Sequence, residues 1–117
     1  MSGNNLTLGG LGSGVLTLTT GAVLVNGGNN TIQLTSLAMG GNTGIFQVAA
    51  GSTLNFQSLM TGSNGFVKAL GGTMILGLKQ SYSSTTNLDE GTLVLNAGIN
   101  TILQNQTMNV NQVPPWT

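Results

Sequence analysis

Apolar and polar residues alternate with a period of two in several short segments of this 117-residue chain. Clear examples are Val15–Thr19, Thr31–Thr35, Ser52–Phe56 and Thr92–Leu95. Since successive side chains of a β-strand point to opposite sides, each segment predicts a strand with one buried and one solvated face. Gly or Asn interrupts every stretch that could form a helix within about two turns. The pattern therefore predicts an all-β protein.

A unit of two short strands around a glycine corner recurs four times. The units are Gly14–Val25, Gly44–Phe56, Gly65–Leu76 and Ser84–Leu95, and their predicted structural corners are Gly21, Gly51, Gly72 and Gly91. Glycine suits a corner because positive φ costs it little. Self-similarity at about 20–30 residues is typical of solenoids, in which each coil buries its apolar face by stacking on the next.

These units predict a parallel β-helix of roughly five coils at about 20–25 residues a coil. We assign residues 1–113 to one β-helix domain, with residues 1–14 as an N-terminal edge strand and residues 114–117 as a C-terminal tail. A small sandwich or barrel remains the alternative, because Asn26-Gly27 and Asn64-Gly65 are signals for two-residue hairpins.

Charge is nearly absent, and the formal net charge is zero. The four charged side chains are Lys68, Lys79, Asp89 and Glu90. Such a chain has no long-range field that would attract nucleic acid or an anionic membrane. Its apolar runs are too short for a transmembrane helix. We expect neither a nucleic-acid partner nor membrane insertion, and the lack of self-repulsion favours association of the chain with itself.

Reactive groups are equally scarce, because the chain contains no His and no Cys. This excludes thiolate zinc sites, and it leaves the serines and threonines without a histidine base for nucleophilic catalysis. Asp89-Glu90 is the one acidic pair, but neighbours on a strand point to opposite sides and do not form the facing carboxylates of glycosidases. We predict no enzyme activity, no catalytic residue, no cofactor and no metal site. Lys68 and Lys79 are candidates for exposed ion pairs with these two carboxylates on adjacent coils.

Outward threonines are a candidate surface of another kind, because ice-binding solenoids present hydroxyl ladders. The candidates are Thr17, Thr19, Thr35, Thr53 and Thr92. Such a surface is expected to repeat Thr-x-Thr on every coil, and only Leu16–Thr20 shows that pattern. We therefore interpret these threonines as ordinary residues of half-exposed strands.

The stretch Gly65–Asn96 resembles the autotransporter-associated β-strand repeat, also called the passenger-associated transport repeat of bacterial autotransporter passengers. The matching residues are Phe66, Val67, Lys68, Gly71, Gly72, Thr73, Met74, Leu76, Tyr82, Thr85, Thr86, Leu88, Gly91, Thr92, Leu93 and Leu95. Ser83-Ser84 departs from the glycine that usually follows the tyrosine. The resemblance implies a right-handed parallel β-helix from a large secreted or cell-surface bacterial protein, in which such repeats form rigid stalks.

The N-terminal residues have neither a basic region nor an apolar core, so they contain no signal peptide. The implied location therefore requires that the chain is an excised piece of a secreted protein or leaves the cell by another route. An intracellular location is the alternative.

The two ends of a β-helix expose unpaired strand edges. Leu6 and Leu8 alternate with polar residues near one end, Met108 and Val110 do so near the other, and no charge lies beside them. We predict self-association at these edges, by head-to-tail stacking into a filament.

These observations favour a non-enzymatic structural β-solenoid that forms a filament or a rigid stalk. The alternative is an adhesin-type module that binds a glycan or a host surface, for which Tyr82 and Trp116 are the candidate aromatic residues. A polysaccharide lyase is a third class with this fold, but its acidic and basic clusters are missing from the sequence.

Overall fold

The computed structural model describes residues 1–10, 14–19, 22–39, 43–61, 65–80, 82, 84–98, 101–102 and 108–111. These ranges contain thirteen strands and no helix. All ten strand pairings are parallel, and together they build three sheets. The prediction of an all-β parallel solenoid is confirmed.

The three sheets form the sides of the solenoid. The first sheet contains β1 (Thr7–Gly9), β4 (Asn29–Gln33), β7 (Thr53–Phe56), β10 (Thr73–Leu76) and β12 (Thr92–Leu95). The second sheet contains β3 (Ala22–Val25), β6 (Gly44–Val48), β9 (Phe66–Ala69), β11 (Thr86–Leu88) and β13 (Met108–Val110). The third sheet contains β2 (Val15–Thr17), β5 (Ser36–Ala38) and β8 (Leu59–Thr61).

The strands fall into five levels along the axis. Level 1 holds β1–β3, level 2 holds β4–β6, level 3 holds β7–β9, level 4 holds β10 and β11, and level 5 holds β12 and β13. The register step shrinks from 24 residues, with Thr7 opposite Thr31, to 19 residues, with Thr73 opposite Thr92. The stack makes about four turns, slightly fewer than the five coils expected from the sequence. The right-handed sense implied by the resemblance stays a prediction.

The core consists of inward columns, in which side chains at equivalent strand positions stack from level to level. One column of the first sheet runs through Leu8, Ile32, Phe56, Leu76 and Leu95, and its three central members are fully buried. Burying a side chain of this size contributes about 1.5–3 kcal/mol.

Aromatic rings join the first and second sheets across this interior. Phe46 packs edge-to-face on Phe56 and Phe66, with ring centroids 5.3 and 5.7 Å apart, and Phe66 packs in the same way on Tyr82. The Phe46–Phe56 contact joins the two longest sheets between levels 2 and 3, and the other two contacts extend the cluster along the second sheet to Tyr82 at level 4.

The hairpin alternative is wrong. Asn26-Gly27 connects β3 to β4, which lie in different sheets, and both strands pair in parallel with the level above or below. Asn64 lies outside the described residues, while Gly65 directly precedes β9. Positive φ at Gly27 (102°) thus turns a corner between sheets rather than a hairpin.

Three of the predicted corner glycines lie on the same edge of the solenoid, where the chain passes from the second sheet to the first. Gly51 and Gly91 have φ of 79° and 78°. Gly72 has ordinary φ, but a Cβ there would lie 2.3 Å from the carbonyl oxygen of Ala49, so its role is close approach of backbones. Gly21 lies outside the described residues and falls between β2 and β3, so the first sequence unit is out of phase with the other three.

Candidate functional site: the two ends of the solenoid

Side chains suited to catalysis are dispersed in the part of the chain that the structure describes. Asp89 and Glu90 are exposed at the corner before β12, and Asp89 Oδ1 accepts a hydrogen bond from Asn111 Nδ2 at 3.0 Å. No group of three or more acidic residues that could hold a metal ion, and no cavity, occurs among the described residues.

Lys68 was expected at the surface, in an exposed ion pair with Asp89 or Glu90, but the structure buries it. Its side chain is fully buried in an inward column of the second sheet, between Phe46 and Leu88. The Nζ atom donates to the carbonyl oxygens of Ala69 (3.1 Å), Leu70 (2.6 Å) and Glu90 (2.9 Å). Burial lowers the pKa of the Lys68 ammonium, and the nearby negative charge of Glu90 partly opposes this shift. The lysine therefore binds backbone at a corner, whereas Lys79 is exposed.

The structure places the predicted N-terminal edge residues at the first end of the stack. Leu6 directly precedes β1, and Leu8 is its middle residue. Both occupy inward columns, since Leu8 is opposite the buried Ile32 and the amide of Leu6 donates to the buried Asn30 side chain at 2.9 Å. They are nevertheless 41% and 40% exposed, because β1 is an edge strand.

Part of this end is covered by the residues before β1. The amide of Gly3 donates to the carbonyl of Asn26 at 3.0 Å, and the amide of Asn26 donates to that of Met1 at 2.7 Å. These bonds protect the corner between β3 and β4. The apolar side chains of Leu6 and Leu8 remain open beside it.

The opposite end carries two edge strands, of which one was predicted from the sequence. Met108 and Val110 lie in β13, the edge of the second sheet, and are 39% and 61% exposed. The other is β12, which was predicted as a strand but not as an edge; it is the edge of the first sheet, and its Leu95 is 43% exposed. The sequence feature that could have predicted this edge is the order of the units: β12 is the second strand of the fourth unit, Ser84–Leu95, and no fifth unit was recognised.

The two ends have matching apolar positions. Leu95 lies in the same inward column as Leu8. Leu93 lies in the column that contains Asn30, which is the position of Leu6 at the first end. One further level added at the same register would therefore bring leucine against leucine in both columns of the first sheet.

The second sheet extends this match. Val110 continues the column that begins with Val23. None of the four edge strands of the first and second sheets, β1, β3, β12 and β13, contains a charged residue. Unpaired backbone groups and apolar side chains thus coincide at β1, β12 and β13. At β3 the Met1 ammonium donates to the Leu24 carbonyl oxygen at 2.5 Å, which places one charge at the first end.

The aromatic residues proposed for glycan stacking do not form an exposed platform in the described structure. Tyr82 is buried against Phe66, and its hydroxyl contacts that of Thr86. Burial raises the pKa of the Tyr82 phenol. Trp116 lies outside the described residues.

The candidate threonines lie on several sides of the solenoid. Thr53 and Thr92 share an outward column of the first sheet with Thr73. Thr17 lies in the third sheet, while Thr19 and Thr35 lie at corners. A shared column therefore exists for two of the five threonines that were considered and then interpreted as ordinary strand residues.

Comparison with protein-family models, with curated proteins and with solved structures found no match for this chain. The resemblance of Gly65–Asn96 to the autotransporter repeat therefore stays an expectation from the sequence. The part of the chain that the structure describes contains no helix capable of crossing a membrane.

Proposed function

We propose that this chain is a non-enzymatic structural β-solenoid that associates end to end with further copies of itself. The observation that carries the proposal is the column from Leu8 to Leu95, which is fully buried in its centre and about 40% exposed at each end (40% and 43%). A second copy stacked on either end would bury these leucines as completely as the central members of the column.

The parallel arrangement decides what kind of assembly follows. The surface at level 1 differs from the surface at level 5, so a joint between them is heterologous and leaves both outer ends free. Repetition of such a joint produces an open filament rather than a closed dimer. A rigid stalk in a bacterial extracellular or surface protein, as the repeat resemblance implies, uses the same stacking within a longer solenoid.

Electrostatics favour this association. The net charge of zero removes the repulsion that separates most protein copies in solution. Because natural edge strands are commonly protected by lysine or proline, β1, β12 and β13, which contain no charged residue, are templates for pairing.

Analytical ultracentrifugation and negative-stain microscopy over a range of protein concentrations test the proposal. We expect a mass that rises with concentration and rods that lengthen in steps of one stack. Leu95→Lys inserts a charge into the open column and is expected to abolish the lengthening. The matched control is Ile45→Lys, because Ile45 is similarly exposed (36%) but lies in β6, inside the stack and on its outer face.

Two results would overturn the proposal. One is a monomeric mass for the unmodified chain at every concentration examined. The other is equal loss of assembly in both lysine variants, which would assign the association to lateral contacts between outer faces.

A further inference from the structure

The outward side of the first sheet carries two parallel columns of small, uncharged side chains. One column runs through Asn29, Thr53, Thr73 and Thr92, and its neighbour runs through Thr7, Thr31, Asn55, Ile75 and Val94. Thr-x-Thr is a pattern within one strand, whereas this order runs across the strands. The threonines therefore become a regular set only when the register is known.

The hydroxyl groups of these columns are available to a ligand. Within the described part of the chain, the hydroxyls of Thr31, Thr53, Thr73 and Thr92 make no hydrogen bond. The contrast is with inward threonines such as Thr101, whose hydroxyl donates to the carbonyl of Gly98 at 2.9 Å. The outward columns are thus a row of hydroxyls without a hydrogen-bond partner among the described residues, on a sheet whose three inner strands, β4, β7 and β10, pair on both sides.

The geometry of the sheet makes this row periodic. Parallel strands repeat about every 4.8 Å, and alternate residues on one strand are about 6.6 Å apart. Threonine, isoleucine and valine are stiff at χ1, so their hydroxyl and methyl groups keep this order. Asn55 is also held in place, since its Nδ2 donates to Asn29 Oδ1 at 2.5 Å.

The composition of the two columns restricts what they bind. They contain no charged and no aromatic residue, so they lack the anchors of protein interfaces and the rings that stack on sugars. A neutral two-dimensional array of hydroxyls and methyls is complementary to a neutral lattice of small hydrogen-bonding units. The repeat between strands is also close to the water spacing along the a-axis of ice.

We propose that the outward face of the first sheet binds the surface of ice. The hydroxyls of Thr53, Thr73 and Thr92 take the place of lattice water, and the methyl groups of these residues and of Ile75 lie against the ice between them. This face lies along the side of the stack, so binding requires no end-to-end association. Stacking of copies in register lengthens the same columns.

Freezing-point hysteresis and the incorporation of a fluorescently labelled chain into a growing ice crystal test the proposal. The unmodified chain is expected to show both effects. Thr73→Tyr places a large ring in the middle of the face and is expected to remove most of the hysteresis. Asn87→Tyr is the matched control, because Asn87 is a partly exposed outward residue of the second sheet at the same level.

Circular dichroism is the check that both tyrosine variants fold. Leu95→Lys is the variant in which the end-to-end joint proposed above is blocked. Ice binding that persists in Leu95→Lys separates the two proposals. Three results would overturn the ice-binding proposal: no hysteresis in the unmodified chain, equal loss in both tyrosine variants, or adsorption to crystalline chitin or cellulose without adsorption to ice.

Discussion

Levels 1 to 3 and levels 4 to 5 close the same solenoid in different ways. The first three levels each place a strand in the third sheet, whereas β8 is the last strand of that sheet. On this side of level 4, Gln80 is buried and makes the bonds that a strand would make. Its Oε1 accepts from the amide of Met60 at 2.8 Å, and its Nε2 donates to the carbonyl of Ser58 at 2.9 Å.

The next level bonds to Gln80 through its backbone, and its own buried side chain bonds only within that level. The carbonyl of Thr101 accepts from the amide of Gln80 at 2.7 Å, and the Thr101 hydroxyl accepts from the amide of Ala97 at 3.0 Å. At level 4 the buried side chain of Gln80 therefore replaces part of the β-ladder of the third sheet. The coil can then shorten to 19 residues, which is the step from Thr73 to Thr92 in the first sheet. The first and second sheets keep their alignment because the corners between them remain tight.

The largest expected effect concerns those corners, and it uses two glycines with nearly equal φ. Gly51→Ala introduces left-handed strain only, because no atom lies within 4 Å of the new Cβ, and we expect a cost of about 1–2 kcal/mol. Gly91→Ala adds contacts of 2.3 Å to the Gly72 oxygen and 2.7 Å to Lys68 Nζ. We expect its total cost to be about 3–5 kcal/mol.

Urea unfolding followed by circular dichroism measures both costs. Using the Leu95→Lys background prevents association from adding to the measured stability. Equal losses in the two alanine variants would show that strain alone governs these corners and that the shorter levels are no more tightly packed than the longer ones.

The second prediction tests the side chain that replaces a strand. Gln80→Leu keeps the approximate volume of the side chain but leaves the amide of Met60 and the carbonyl of Ser58 without these partners. We expect the free energy of unfolding to fall by about 2–3 kcal/mol. Hydrogen exchange at the Met60 amide should accelerate more than exchange at the Val48 amide in the second sheet.

Gln47→Leu is the control for this change. Gln47 is a partly exposed residue of β6, and its replacement should alter the free energy of unfolding by no more than about 0.5 kcal/mol. A comparable loss in both variants would mean that Gln80 contributes through general polarity rather than through its bonds to β8.

The strands of this fold follow from the sequence because each buries a single face. The alternation in Ser52–Phe56 predicts β7 and the inward positions of Leu54 and Phe56. The sequence does not predict that the Gln80 side chain replaces the hydrogen bonds of a strand, because nothing in the sequence distinguishes a buried glutamine from an exposed one. Only the register shows that its amide reaches the edge of β8.

The ends of the solenoid were predictable only in part, for a related physical reason. Leu6 and Leu8 precede the first strand unit, so their pattern marks an edge. Leu93 and Leu95 have the pattern of any interior strand, and what exposes them is the absence of a paired strand beyond β12 in the described structure. Lys68 and Phe66 are two residues apart in β9, so both side chains point inward. The sequence nevertheless predicts an exposed Lys68, because a charged side chain is expected to face water. The three carbonyls that bind its ammonium come from two corners, which only the structure brings together.

The third prediction has the smallest effect and concerns the lysine that joins levels 3 and 4. Burial lowers the pKa of Lys68 in the folded chain below its ordinary value of 10.5. Between these two pKa values the unfolded chain binds more protons than the folded chain, so the Lys68 contribution to stability rises with pH there and is constant below that window. The raised pKa of Tyr82 has the opposite effect above about 10.0, because the unfolded phenol ionises first.

Subtracting one variant from another separates these two groups. The difference in unfolding free energy between the unmodified chain and Lys68→Met should increase as the pH rises towards 10.5, since Tyr82 is present in both. Glu90→Gln removes the charge that opposes the shift, so it should lower the pKa of Lys68 further and start the rise at a lower pH. Gln47→Leu, which exchanges one non-titrating side chain for another, should give a difference that does not vary with pH in this range. If the difference for Lys68→Met is also independent of pH, the three carbonyls compensate the ammonium fully for its burial. The corner between levels 3 and 4 would then stabilise the fold equally at every pH.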